Sequence, residues 1–118
     1  MKKILFADDD ELILKMIAFK LRQEGYSVAI AKDGNEAMEC FNTEKPDIVL
    51  TDIMMPYKSG LEVTQLVKKS EPEIPVVILS SLGENGNTVK EAFDLGVSDF
   101  VSKPFNPKEL MLRIRRLV

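Results

Sequence analysis

PDIVLTDIMMP, residues 46–56, is the stretch that decides the fold. A proline opens it, an apolar and β-branched run fills 47–51, and the run stops at Asp52. A short apolar run bounded this way reads as a strand buried on both faces. The same pattern recurs on either side of it. KILFA (3–7), SVAIA (27–31), VVILS (76–80, behind Pro75) and the short DFVS (99–102) all read as strands.

Between the strands the apolar spacing becomes helical. Ile13, Met16, Ile17 and Leu21 form one such face, stopped at Gly25. Asp33 and Glu36 make a capping-box pair ahead of Ala37, Met38 and Phe41, and Ser59 and Glu62 make another ahead of Leu61, Leu66 and Val67. After the glycine-rich LGENGN (82–87), Val89, Ala92 and Phe93 mark a helix closed by Gly96. Asn106, Pro107 and Glu109 fit N-cap, N1 and N3 of a last helix with Leu110, Ile114 and Leu117 inward. Strict β-α alternation without a linker predicts one α/β domain over 1–118: a parallel sheet with helices on both faces. A ligand site in such a sheet lies beyond the carboxyl ends of the strands.

Composition narrows the chemistry. The 118 residues carry 16 basic and 19 acidic side chains, a net charge of −3, which argues against a general nucleic-acid or membrane-surface binder. There is no histidine, so a Ser-His-Asp triad, an HExxH zinc site and a phosphohistidine donor are excluded within this chain. The single cysteine, Cys40, excludes a disulfide framework and reads with the methionines as packing. No apolar run approaches the roughly 20 residues of a membrane span. Lys2 and Lys3 are followed by three aspartates within ten residues, which breaks a signal-peptide pattern. The expected location is cytoplasmic.

The strand ends hold the polar residues. Asp8, Asp9 and Asp10 follow the first strand, Asp52 the third, Ser80 and Ser81 the fourth, Lys103 and Pro104 the fifth. Singly, each has an ordinary explanation: aspartates cap helices and turns, a serine is structural, a lysine is solvated. Independent caps need not all fall on one edge of one sheet. Converging carboxylates repel and so demand protons or a cation. Oxygen ligands of this kind suit Mg²⁺, which also accepts phosphate oxygens. A hydroxyl and an ammonium across the crevice suit a phosphoryl group. Without histidine, the nucleophile is expected to be a carboxylate.

ILFADDDELI, PDIVLTDIMMPYKSGLEV, PVVILSS and GVSDFVSKPFNPKEL, in this order, resemble the receiver domain of two-component response regulators over essentially the whole chain. The resemblance implies a flavodoxin-like (βα)5 fold, a single receiver domain with strand order 2-1-3-4-5. It implies Asp52 as phosphoacceptor. It also implies Mg²⁺ held by Asp9, by Asp8 through water, by Asp52 and by the backbone carbonyl of Met54. Ser80 takes the hydroxyl position, Lys103 the phosphoryl-pairing lysine and Phe100 the aromatic switch, with a cis bond before Pro104. The implied partner is a sensor histidine kinase or phosphotransfer protein presenting phosphohistidine. The output acts through the last two helices and the strand between them, on a target protein or an output domain.

PKEL (107–110), Arg113 and Asp99 resemble the dimerising face of winged-helix transcription regulators, which implies a phosphorylation-dependent homodimer. Arg113, Arg115 and Arg116 suit the end of a helix dipole, so direct DNA contact by this domain is not expected. The implied activity is self-catalysed phosphotransfer, not enzymatic turnover. Met54 and Leu82 lie two residues beyond Asp52 and Ser80, where the family controls water. Both are apolar and cannot orient water, so self-dephosphorylation is expected to be slow.

Two other readings share these residues. A haloacid-dehalogenase-type phosphatase would use Asp8 and Asp10 with Ser80 and Lys103, but it leaves Asp52 idle and needs a further acidic motif where only Glu109 stands. A phosphorylation-independent interaction module would not need the Asp9, Asp52, Ser80 and Lys103 set.

Overall fold

The computed structural model describes residues 1–81 and 86–118. The elements alternate without exception: β1 (Lys3–Ala7), α1 (Glu11–Gln23), β2 (Ser27–Ala31), α2 (Gly34–Glu44), β3 (Ile48–Asp52), α3 (Gly60–Ser70), β4 (Val76–Ser80), α4 (Gly86–Asp94), β5 (Asp99–Ser102) and α5 (Pro107–Leu117). All strand pairs are parallel and the order is β2-β1-β3-β4-β5. The chain moves outward from β1 to β2, then crosses back to β3. The ends of β1 and β3 therefore flank the point where the strand order reverses.

Period-two alternation along each strand feeds two cores. Ile4, Phe6, Leu50 and Leu79 pack with Leu14, Ile17 and Leu21 of α1 and Leu110 and Ile114 of α5. Leu5, Val49 and Ile78 pack on the other side with Phe41 of α2, Val63 and Val67 of α3 and Ala92 of α4. Full burial of one such aliphatic side chain contributes about 1.5–3 kcal/mol.

The expected strands match the observed ones at both ends except β3, which is shifted by one residue. Asp47 stays outside it because its carboxylate accepts the Lys3 N–H at 2.8 Å. Asp52 is instead the last residue of the strand. Three helix faces also differ from expectation. Met16, Leu66 and Phe93 are exposed, while Leu14, Ala18, Val63 and Thr64 are buried. Ser59 and Glu62 form the full capping box. Asp33 accepts the Glu36 N–H, but the Glu36 carboxylate turns to the Lys32 N–H, leaving that box half made.

Candidate functional site

The site is built from four strand ends. Asp8 follows β1 directly and is completely buried. One of its oxygens accepts the Asp10 N–H at 2.9 Å, and the other accepts from Lys103 Nζ at 2.7 Å. Asp10 leaves the site to cap α1, accepting the N–H groups of Leu12 and Ile13. The aspartate run is thus divided: its first two members serve the crevice and its third serves the helix.

Asp52 is only 4% exposed, and Oδ1 accepts the Ile53 N–H at 2.8 Å. Just beyond it the chain doubles back on itself. Gly60 N–H donates to the Ile53 carbonyl at 2.8 Å, and a Cβ on Gly60 would collide with the Asp52 carbonyl. Only glycine allows α3 to start this close to the end of β3. Asp8, Asp9 and Asp52 place carboxylate oxygens within 4.8 Å of one another, with Asp9 exposed.

Lys103 reaches across from the end of β5, 3.5 Å from Asp52 as well as bonded to Asp8. The Lys103–Pro104 peptide is cis. Burial pulls the Lys103 pKa down, but the Asp8 hydrogen bond and the charges of Asp52 and Asp8 outweigh it, so the ammonium is held charged above its usual range. Asp52 moves the other way for a carboxylate, up from 3.8 to about 6. Burial is the largest cause. Lys103 pulls it back, Asp8 raises it, the Ile53 N–H lowers it and Asp9 raises it.

Ser80 is buried at the end of β4, its hydroxyl donating to the Ser81 carbonyl at 3.1 Å. Phe100 is half-buried in β5, against the core shared with α4. The Met54 side chain is 70% exposed. Leu82, the other position expected to control water, lies outside the described residues. Arg113 binds Asp99 at 2.7 Å and Glu109 at 2.8 Å within its own chain.

The donor set fits Mg²⁺: three carboxylates converge, and Lys103 is the cation paired with two of them. The same geometry disfavours Asp8 as a nucleophile, because both of its oxygens are engaged and Asp10 is a cap. Sequence reasoning missed the apolar groove beside Lys103, about 510 Å³, lined by Ile13, Met16, Phe105 and Pro107. No sequence signal marks it, because the exposure of Met16 shows only in the packed structure.

A parallel sheet with a carboxylate pocket at its switch point, and a lysine reaching into it from the edge strand, defines an α/β domain with a site suited to a cation and an oxyanion. The chain belongs to the response regulator receiver domain family, which it matches over residues 4–115. It is 42% identical over 117 residues to the probable transcriptional regulator ycf27 of Cyanophora paradoxa, covering 99% of this chain and 48% of that protein. It is 35% identical to the alkaline phosphatase synthesis transcriptional regulatory protein PhoP of Bacillus subtilis (strain 168), with the same coverage. The chain thus spans about half the length of these curated relatives. Among solved structures, the receiver domain of Francisella response regulator 1452 has TM-score 0.90 at 35% identity, covering 99% of this chain and 96% of that one. Chemotaxis protein CheY4 of Vibrio cholerae has TM-score 0.92 at 28% identity, covering 100% and 99%. Among the described residues, no helix is long and apolar enough to cross a membrane.

Proposed function

We propose that Asp52 accepts a phosphoryl group from a phosphohistidine on a partner kinase or phosphotransfer protein. The observation that carries this is the convergence of Asp8, Asp9 and Asp52 under the reach of Lys103. Asp8, Asp9, Asp52 and the Met54 carbonyl are the proposed holders of Mg²⁺, which supplies charge neutralisation at the phosphoryl oxygens when bound. The Asp52 Oδ2, free of the backbone bond that holds Oδ1, attacks phosphorus in line. The P–N bond to the partner's imidazole breaks, leaving an acyl phosphate here and a neutral histidine there. Lys103 swings from the Asp8–Asp52 pair to the incoming phosphoryl oxygens.

The Ser80 hydroxyl exchanges the Ser81 carbonyl for a phosphoryl oxygen, and Phe100 moves with it. These contacts exist only in the phosphorylated state, so they shift the population of the α4–β5–α5 face. A homodimer through that face requires Arg113 to leave a partner it now holds within its own chain. Transcriptional output is the role that PhoP and ycf27 suggest for the complete protein.

Intact mass after incubation with acetyl phosphate and Mg²⁺ tests the reading. One phosphoryl group should appear, and it should be absent in Asp52→Asn and in EDTA. Its decay, followed in the same samples, should be slow because Met54 cannot orient water. Addition that survives Asp52→Asn would sink the assignment, and a half-life of seconds would remove the role given to Met54.

A further inference from the structure

The loop between β3 and α3 carries Met54, and it is fastened to a neighbouring helix. Gly34, the first residue of α2, donates its N–H to the Pro56 carbonyl at 3.1 Å. A Cβ on Gly34 would run into the main chain of Lys58, so the two segments touch as closely as backbones can. Lys58 Nζ then donates to Asn35 Oδ1 at 2.7 Å. Between the two bonded residues sits Tyr57, with φ +71° and its side chain 75% exposed. A left-handed tyrosine costs on the order of 1–2 kcal/mol and persists only where its surroundings hold it. The Lys58 N–H closes the turn across it by donating to the Pro56 carbonyl at 2.9 Å, and the pair of contacts to α2 flanks that turn.

We propose that Lys58 is a positioning residue: by bracing the loop against Asn35 of α2, it fixes the turn that presents Met54 to the aspartate cluster, and so sets the affinity for Mg²⁺. This rests on the proposed reading of that cluster as a Mg²⁺ site with the Met54 carbonyl among its holders. The brace lies outside the cluster and touches none of its carboxylates. Its effect therefore travels through loop geometry, as outer contacts orient the groups that hold a metal.

Isothermal titration calorimetry with Mg²⁺ on the full chain tests it. Lys58→Met and Asn35→Ala should each weaken binding about 3- to 10-fold, the equivalent of one hydrogen bond. The double variant should be no weaker than either single one, because both remove the same contact. Lys58→Arg, which keeps a donor, should restore most of the affinity. Val67→Ala, a core truncation under α3, should lower the melting midpoint without changing the Mg²⁺ affinity. Gly34→Ala, which pushes the loop outward, should weaken binding further. Wild-type binding with Lys58→Met and Asn35→Ala within twofold of it, or losses that simply add, would overturn the brace alone. A wild-type chain that binds no Mg²⁺ would overturn the brace together with the site.

Discussion

Asp52 works against the fold that surrounds it. Its carboxyl is raised from 3.8 to about 6, so the folded chain prefers it protonated. The sign follows from linkage. Below pH 3.8 the group is neutral in both states and costs nothing. Between 3.8 and about 6 the unfolded chain loses its proton first, and stability falls. Above about 6 the penalty is constant, about 2–3 kcal/mol. Asp52→Asn in EDTA should therefore raise stability at pH 7 by that order and leave it unchanged at pH 3.5. Equal denaturation midpoints at pH 7 would contradict this. Lys45 has a separate, purely local cost. It ends α2 at φ +50°, where glycine is the unstrained choice. Lys45→Gly should raise stability by about 0.5–1 kcal/mol, or about 2–5 °C in a thermal melt. At this scale the sequence was readable in part. The residue types of the site were visible, yet nothing in the run Asp8–Asp10 says which aspartate turns to the helix. That depends on where α1 begins.

The five helices differ in how firmly they are held. α1 buries Leu14, Ile17, Ala18 and Leu21, whereas α4 buries only Ala92, with Phe93 half in solvent. Among the helices and strands, amide hydrogen exchange should consequently be fastest in α4 and slowest in β1 and β3. Exchange in α4 as slow as in α1 would refute this. The helix at the centre of the proposed switch is thus the one with the least apolar anchorage. Every element was legible in the sequence, because apolar runs and capping residues are local signals. The exposed faces were not: Met16 and Leu66 carry helical spacing, but only the packed structure shows which face of each helix meets the sheet. The Lys58–Asn35 contact was equally invisible, since 23 residues separate two polar side chains with no pattern linking them.

At the scale of the molecule, the sheet order places the carboxylate pocket where β1 and β3 meet, and Lys103 offsets only part of its charge. The β2 edge of the sheet is also managed. Arg22 of α1 reaches over β2 and donates to the Val28 carbonyl at 3.0 Å, occupying an acceptor that another strand would use. The contact between Lys103 and Asp8 joins residues 95 positions apart. One partner leaves the ribosome among the first residues of the domain and the other among the last. Helices and most of the sheet can form while the pocket still lacks Lys103, the one ammonium that bridges its carboxylates among the described residues. On the function proposed for Asp52, competence to receive a phosphoryl group then waits for the last strand, and a partly made chain is deaf by construction.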